Sequence, residues 1–168
     1  MSFEKIYVLD TNIILNDAHN IEILSDNGKN LIILPETVID ELDTKKTGFE
    51  EINFQAREFG RLIESAEVLN TIKVEKDNVV IMEVSIKDNI IIHITSFKEY
   101  GIDIKEHSIL NDRKIIKVAQ FSTEYYETFI KNIFRKTRNA WDLELSKYCN
   151  ENKGKEITIG IKSREIGL

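Results

Sequence analysis

A short apolar run, Lys5-Ile6-Tyr7-Val8-Leu9, stops abruptly at Asp10-Thr11-Asn12. A carboxylate, a hydroxyl and an amide thus stand where the carboxyl end of a buried strand would leave a sheet. In open α/β sheets that edge is where ligands bind. An isolated aspartate there caps the following helix as readily as it binds anything, so a second carboxylate in similar surroundings carries the interest. Asn30-Leu31-Ile32-Ile33-Leu34 is another apolar run, and Pro35 suits the first turn of the helix after it. Val38, Ile39 and Leu42 are spaced for one face of that helix, with Glu41 and Asp43 flanking the face near the top of the sheet. Further along, Asp112 stands at the start of a later helix, where the dipole alone would favour an acid, and Glu165 follows the last strand. Carboxylates gathered in a cleft repel one another, which raises their pKa values and destabilises the fold unless cations are bound. Hard divalent ions, which take oxygen ligands, are the fitting partners.

The elements that must hold these groups alternate along the chain. Ile13-Ile14-Leu15 and Ile21-Glu22-Ile23-Leu24 read as two short helical pieces around a turn, and Asp26-Asn27-Gly28 ends that region. Residues 49–70 are expected to form a long helix, with Ile52, Ala56, Phe59, Leu62, Ile63, Ala66 and Leu69 recurring every three or four positions. Over 71–104 the period changes to two, which predicts strands joined by tight turns at Lys76-Asp77-Asn78 and Lys87-Asp88-Asn89, an antiparallel excursion at the sheet edge. On one of these strands His93 is expected to point outward and to serve no ligand role. Residues 108–121 return to a helical pattern. A long helix then carries the stripe Tyr126, Ile130, Ile133, Thr137, Trp141, Leu145 and Tyr148, and Glu156-Ile157-Thr158-Ile159-Gly160-Ile161 is the last strand. Strands alternating with helices predict a mostly parallel sheet covered on both faces.

Composition bounds the function classes. With 168 residues, 42% of them hydrophobic, the chain suits one domain with its own core. The lone Cys149 excludes an intramolecular disulfide framework and a cysteine-rich zinc site. No apolar signal region follows Met1 and no apolar run reaches the roughly 20 residues needed to cross a bilayer, so a reducing cytoplasm is the expected location, away from membranes. The net charge of −6 argues against a generally basic DNA coat protein while allowing a nuclease with an acidic, metal-binding centre. That charge is uneven, because basic residues outnumber acidic ones nine to four over 131–164.

Four blocks give the chain a family likeness. Tyr7-Val8-Leu9-Asp10-Thr11-Asn12-Ile13-Ile14-Leu15-Asn16-Asp17, Ile33-Leu34-Pro35-Glu36-Thr37-Val38-Ile39-Asp40-Glu41-Leu42-Asp43, Gln55-Ala56-Arg57 with Arg61-Leu62-Ile63-Glu64, and Asn111-Asp112-Arg113-Lys114-Ile115-Ile116 resemble, in that order, segments of the PIN-domain nucleases. The resemblance is to the PIN domain at the front of PhoH-type ATPases, with Gln55 in place of the asparagine usual there. It covers residues 5–65 well and 108–121 fairly, while 71–105 and 122–155 are peculiar to this chain. It implies a three-layer α/β/α fold with a central mostly parallel sheet and a β-rich insertion, in one domain spanning 1–168. Family members usually continue with a further helix and strand, so the chain is expected to be either an excised piece or a shortened form.

By the same resemblance the activity is that of a divalent-metal-dependent ribonuclease on single-stranded RNA. Mg²⁺ or Mn²⁺ would be held by Asp10, Glu41 and Asp112. Glu165 stands nearest the fourth acidic position, in Ile161-Lys162-Ser163-Arg164-Glu165-Ile166, although the family has an aspartate there and the alignment needs a one-residue adjustment. Water activated at the metal would attack the phosphodiester in line, leaving a 5′ phosphate and a 3′ hydroxyl. Thr11 and Asn12 would position phosphate or water. Since an acidic pocket repels a phosphate backbone, substrate contacts are expected from Lys131, Arg135 and Arg138, which share one helix face with Phe134 and Trp141 interleaved, and from Arg57 and Lys45-Lys46. The bland alternative for the Lys131 helix is a solvated basic face over an aromatic core stripe. Family habit also implies homo-oligomers and, in a longer parent chain, a C-terminal ATPase domain.

Competing readings are a non-catalytic PIN-like module that binds RNA or a partner protein, and a response-regulator receiver, which the 35–43 block fits poorly. A P-loop enzyme is excluded within these residues, because no glycine-rich loop precedes Lys and Ser or Thr.

Overall fold

Strand β1 (Lys5–Leu9) and strand β2 (Asn30–Pro35) are apolar along nearly their whole length, and both faces of each are buried. That pattern belongs to the interior of a parallel sheet, where helices cover both sides. The computed structural model describes residues 3–126 and 157–160, and in it these two strands pair parallel, from Lys5 opposite Asn30 to Val8 opposite Ile33. The full sheet has six strands in the order β3-β4-β5-β2-β1-β6, with β3 Glu67–Val74, β4 Val79–Ile86, β5 Ile90–Phe97 and β6 Ile157–Gly160. Pairings β1·β2, β1·β6 and β2·β5 are parallel, while β3·β4 and β4·β5 are antiparallel.

Alternation along the strands builds the layers. Ile6, Val8, Leu31 and Ile33 pack with Val118, Ala119 and Phe121 of α5 (His107–Tyr125). Tyr7, Leu9, Ile32 and Leu34 pack on the opposite face with apolar residues of α1 (Thr11–Asn16), α2 (Asn20–Ser25), α3 (Glu36–Thr44) and α4 (Glu51–Glu64). The result is the three-layer α/β/α architecture with a mostly parallel core and a β-rich excursion. Among the described residues no helix is long and apolar enough to cross a membrane.

Four expectations need correction. The helix expected over 49–70 ends at Glu64, and Glu67 to Val74 is strand β3. Ala66 and Leu69 do fall at helical spacing, but the β-prone stretch Val68-Leu69-Asn70-Thr71-Ile72 pairs with β4 from Glu67 opposite Ser85 to Val74 opposite Val79, and tertiary pairing overrides a weak local period. The antiparallel excursion is at the edge only in part. Lys87 and Asp88 both have positive φ, 52° and 66°, the backbone of a tight hairpin turn. This turn returns β5 into the body of the sheet, where it pairs parallel with β2. Helix α5 begins at His107 and runs past the expected end to Tyr125, so Asp112 lies in its second turn and an N-terminal dipole does not account for it. The long helix expected to follow, apart from Tyr126, falls outside the described residues.

His93 is the fourth correction, because it points inward and is only 5% exposed. It sits directly across from Glu83 in the β4·β5 ladder. Its Nε2 lies 2.7 Å from Glu83 Oε2, and its Nδ1 lies 2.5 Å from the Tyr126 hydroxyl just beyond α5. A carboxylate can only accept, so the neutral imidazole donates from Nε2 and accepts the Tyr126 O–H at Nδ1. Burial lowers the His93 pKa below its ordinary 6.5, outweighing the Glu83 hydrogen bond and charge, which raise it. Burial also raises the Tyr126 phenol, with the neighbouring Tyr125 and Glu83 adding to the effect. Because the unfolded chain takes up the proton more readily, His93 contributes stability that is whole above pH 6.5 and is lost as pH falls through the lower folded value. Urea unfolding from pH 7.5 downward is therefore expected to lose stability more steeply below pH 6.5 in the wild type than in His93→Gln. Identical pH slopes in the two proteins would remove His93 from that dependence.

Candidate active site

The carboxyl ends of β1 and β2 deliver two helices to one edge of the sheet. Asp10 leaves β1 in an extended conformation, φ −91° and ψ 163°, and caps α1, its Oδ1 accepting from the Thr11 N–H at 2.7 Å. It is 5% exposed. Thr11 is buried as well, and its hydroxyl donates to Glu41 Oε1 at 2.7 Å. That contact joins the first turn of α1 to the second turn of α3, which β2 starts at the same edge through Pro35. Each of the two carboxylates is thereby oriented through one of its oxygens. Asp112, exposed on α5, reaches the same space from the other helical layer.

Together Asp10, Thr11, Asn12, Glu41 and Asp112 line an open cleft of about 730 Å³. Lys45 and Glu51 complete its polar wall, and Leu15 and Ile52 supply apolar surface. Sequence reading had no place for Glu51. Its position in the first turn of a helix is an ordinary acidic preference, and only the approach of α4 to α1 brings it to the cleft. Gln55 fixes that approach: its Oε1 accepts from Ala18 N–H at 2.8 Å, and its Nε2 donates to Glu51 Oε1 at 2.7 Å. A side chain matched only by family likeness is thus a buried bracket between α4 and the turn that joins α1 to α2.

Other expected site residues lie elsewhere. Arg57 does not line the cleft, and its Nη1 donates to the carbonyls of Lys46 at 2.7 Å and Gly48 at 2.9 Å, tying down the connection between α3 and α4. Lys46 pairs with Asp43 at 2.7 Å on the surface. Glu165, Lys131, Arg135 and Arg138 lie outside the described residues.

The donor chemistry of the cleft suits a hard divalent cation. Among the described residues no three His, Cys, Asp or Glu side chains close around a single point as a ready-made metal cage. Mg²⁺ tolerates this, since it keeps several waters and uses one or two carboxylates plus substrate phosphate.

A parallel α/β/α sheet with acidic residues converging on its carboxyl edge defines the class. Residues 7–140 match the family described as PIN domain, and the chain belongs to that family. PIN domains are generally nucleases and generally use divalent metal ions. The chain is similar to Protein PhoH2 of Bacillus subtilis (strain 168), with 38% identity over 61 residues. That match takes in 36% of this chain and only 13% of the relative. No solved structure gives a significant match.

The Thr11 to Glu41 contact makes a direct prediction. Thr11→Val deprives a half-buried carboxylate of its donor and is expected to cost about 1–3 kcal/mol in urea unfolding, whereas Thr11→Ser keeps the hydroxyl and most of that stability. Equal stability of the valine variant and wild type would show that the bond contributes nothing.

Proposed function

We infer that this PIN domain is a ribonuclease that hydrolyses phosphodiester bonds of single-stranded RNA, with Asp10, Glu41 and Asp112 holding Mg²⁺ or Mn²⁺. The observation that carries the reading is the convergence of these three carboxylates, delivered by three different elements, on one open cleft. Bound there, the ion would supply an activated water and neutralise charge developing on the phosphate. Glu165 is proposed as a fourth carboxylate.

The chain's own groups have separable tasks. Asp10 and Glu41 are held in orientation by the Thr11 amide and hydroxyl. Because the Thr11 hydroxyl gives its proton to Glu41, it has only lone pairs left and can accept from a water but not donate to a phosphate. Asn12, exposed at the cleft, has amide hydrogens for that purpose. Lys45 at the wall is proposed to contact the backbone of the strand, and so, by the family likeness, are Arg57, Lys131, Arg135 and Arg138. The family likeness is the ground on which a homo-oligomer, a cytoplasmic location and, in a longer parent chain, an attached ATPase domain are proposed.

The test is cleavage of an end-labelled single-stranded RNA with Mn²⁺, Mg²⁺ or EDTA, comparing wild type with Asp10→Asn. Cleavage is expected only with metal, with the products carrying 5′ phosphate, and Asp10→Asn is expected to lose at least about 100-fold in rate while unfolding normally. Absence of cleavage with either metal, together with absence of Mn²⁺ binding by calorimetry, would overturn the enzymatic reading in favour of a non-catalytic module.

A further inference from the structure

Between α3 and α4 the chain makes a short connection that is unusually well anchored. Asn53, buried in the first turns of α4, donates from Nδ2 to the Lys45 carbonyl at 2.7 Å and accepts at Oδ1 from the Glu50 N–H at 3.1 Å. Arg57 holds the carbonyls of Lys46 and Gly48. Gly48 has φ +136°, and a Cβ there would lie 2.3 Å from Asn53 Oδ1, so the connection is packed against α4 as tightly as glycine permits. All of these anchors hold the connection to α4. Phe49, by contrast, is fully exposed, at 106%.

A phenyl ring held in water on a pinned backbone contributes nothing to the fold. Its neighbours in the chain lie at the cleft. Lys45, Glu51 and Ile52 line the carboxylate cleft, and Phe49 Cα is at most about 8 Å from Glu51 Cα along the chain. Lys46 is paired with Asp43, whereas Lys45, exposed on the cleft wall, makes no side-chain ion pair or hydrogen bond among the described residues. An acidic cleft repels a phosphate backbone, so part of the grip on a strand must be indifferent to charge. Stacking on a base is such a grip, and it is open only to a base that is not already stacked within a duplex.

We propose that Phe49 is a stacking platform for an unpaired nucleobase beside the bond held in the cleft, with Lys45 contacting an adjacent phosphate, so that this connection selects single-stranded nucleic acid. The proposal rests on the nuclease reading and adds the residue that sets strand selectivity. Because Phe49 touches no core, its substitution leaves folding intact.

The test measures binding of a fluorescent single-stranded oligoribonucleotide, and of the duplex of the same sequence, to protein carrying Asp10→Asn so that the strand stays whole. Phe49→Ala and Phe49→Leu are expected to weaken single-strand binding about 5- to 100-fold and to leave duplex binding unchanged, whereas Phe49→Trp restores or tightens it. Lys45→Ala is expected to reduce the slope of log affinity against log salt by about 0.7. The chain has one tryptophan, so Phe49→Trp with Trp141→Phe gives a direct readout, quenching of the indole at position 49 when the strand binds. Equal single-strand affinity in wild type and Phe49→Ala, or an unquenched indole, would overturn the proposal and leave the nuclease reading standing. Failure of the parent protein to bind single strand more tightly than duplex would likewise overturn the stacking proposal, while the nuclease reading is judged by cleavage with the wild type.

Discussion

Parallel pairing of β1 with β2 is the constraint on which the remaining geometry depends. The two strands are in register from Lys5 with Asn30 to Val8 with Ile33, so they end at the same level. Asp10 and Pro35 therefore leave the sheet side by side, one capping α1 and the other opening α3. Both strands are buried on both faces, and a slip of one residue would turn Ile6 and Val8, which meet α5, toward the layer that belongs to Tyr7 and Leu9. The register that satisfies the core is thus the same register that brings Thr11 within hydrogen-bond distance of Glu41.

Around that edge, side chains with amide and guanidinium groups hold backbone rather than surface water. Asn20 donates to the Ile13 carbonyl, while Gln55, Asn53 and Arg57 brace the two connections that flank the cleft. Such connections carry unpaired N–H and C=O groups that need partners when partly buried. Supplying them from side chains of α4 gives the cleft a fixed wall without regular structure. The acidic groups that line the cleft are thereby carried on rigid elements.

The other face of the sheet shows the same economy with a different chemistry. The Glu83, His93 and Tyr126 chain runs from β4 across β5 to the end of α5, tying the antiparallel excursion to the helix that carries Asp112. Its members satisfy one another in a place where an unpaired polar group would be costly. A histidine on a strand of alternating pattern reads as outward-facing only while the strand is thought to lie at an edge. Once β5 is interior and α5 covers it, the same alternation directs His93 into the protein.

From the sequence alone, the elements with strong and private signals were legible: the two buried strands, the short helices after Asp10, the helix after Pro35, and the acids at their ends. Apolar runs and punctuating residues such as Pro35 and Asp26-Asn27-Gly28 act locally, so they can be read locally. The three candidate carboxylates Asp10, Glu41 and Asp112 were found in this way and by family likeness, and the fold brings them to one cleft. What only the tertiary structure decided depends on partners distant in the chain. Residues 67–70 became strand because β4 lies alongside, β5 became interior because β2 accepts it, Glu51 and Gln55 acquired their positions from the packing of α4 on α1, and Phe49 stands on a connection held by Asn53 and Arg57. The physical reason is that a local pattern fixes which face of an element is apolar, whereas the neighbour that covers that face is chosen by contacts the pattern does not contain.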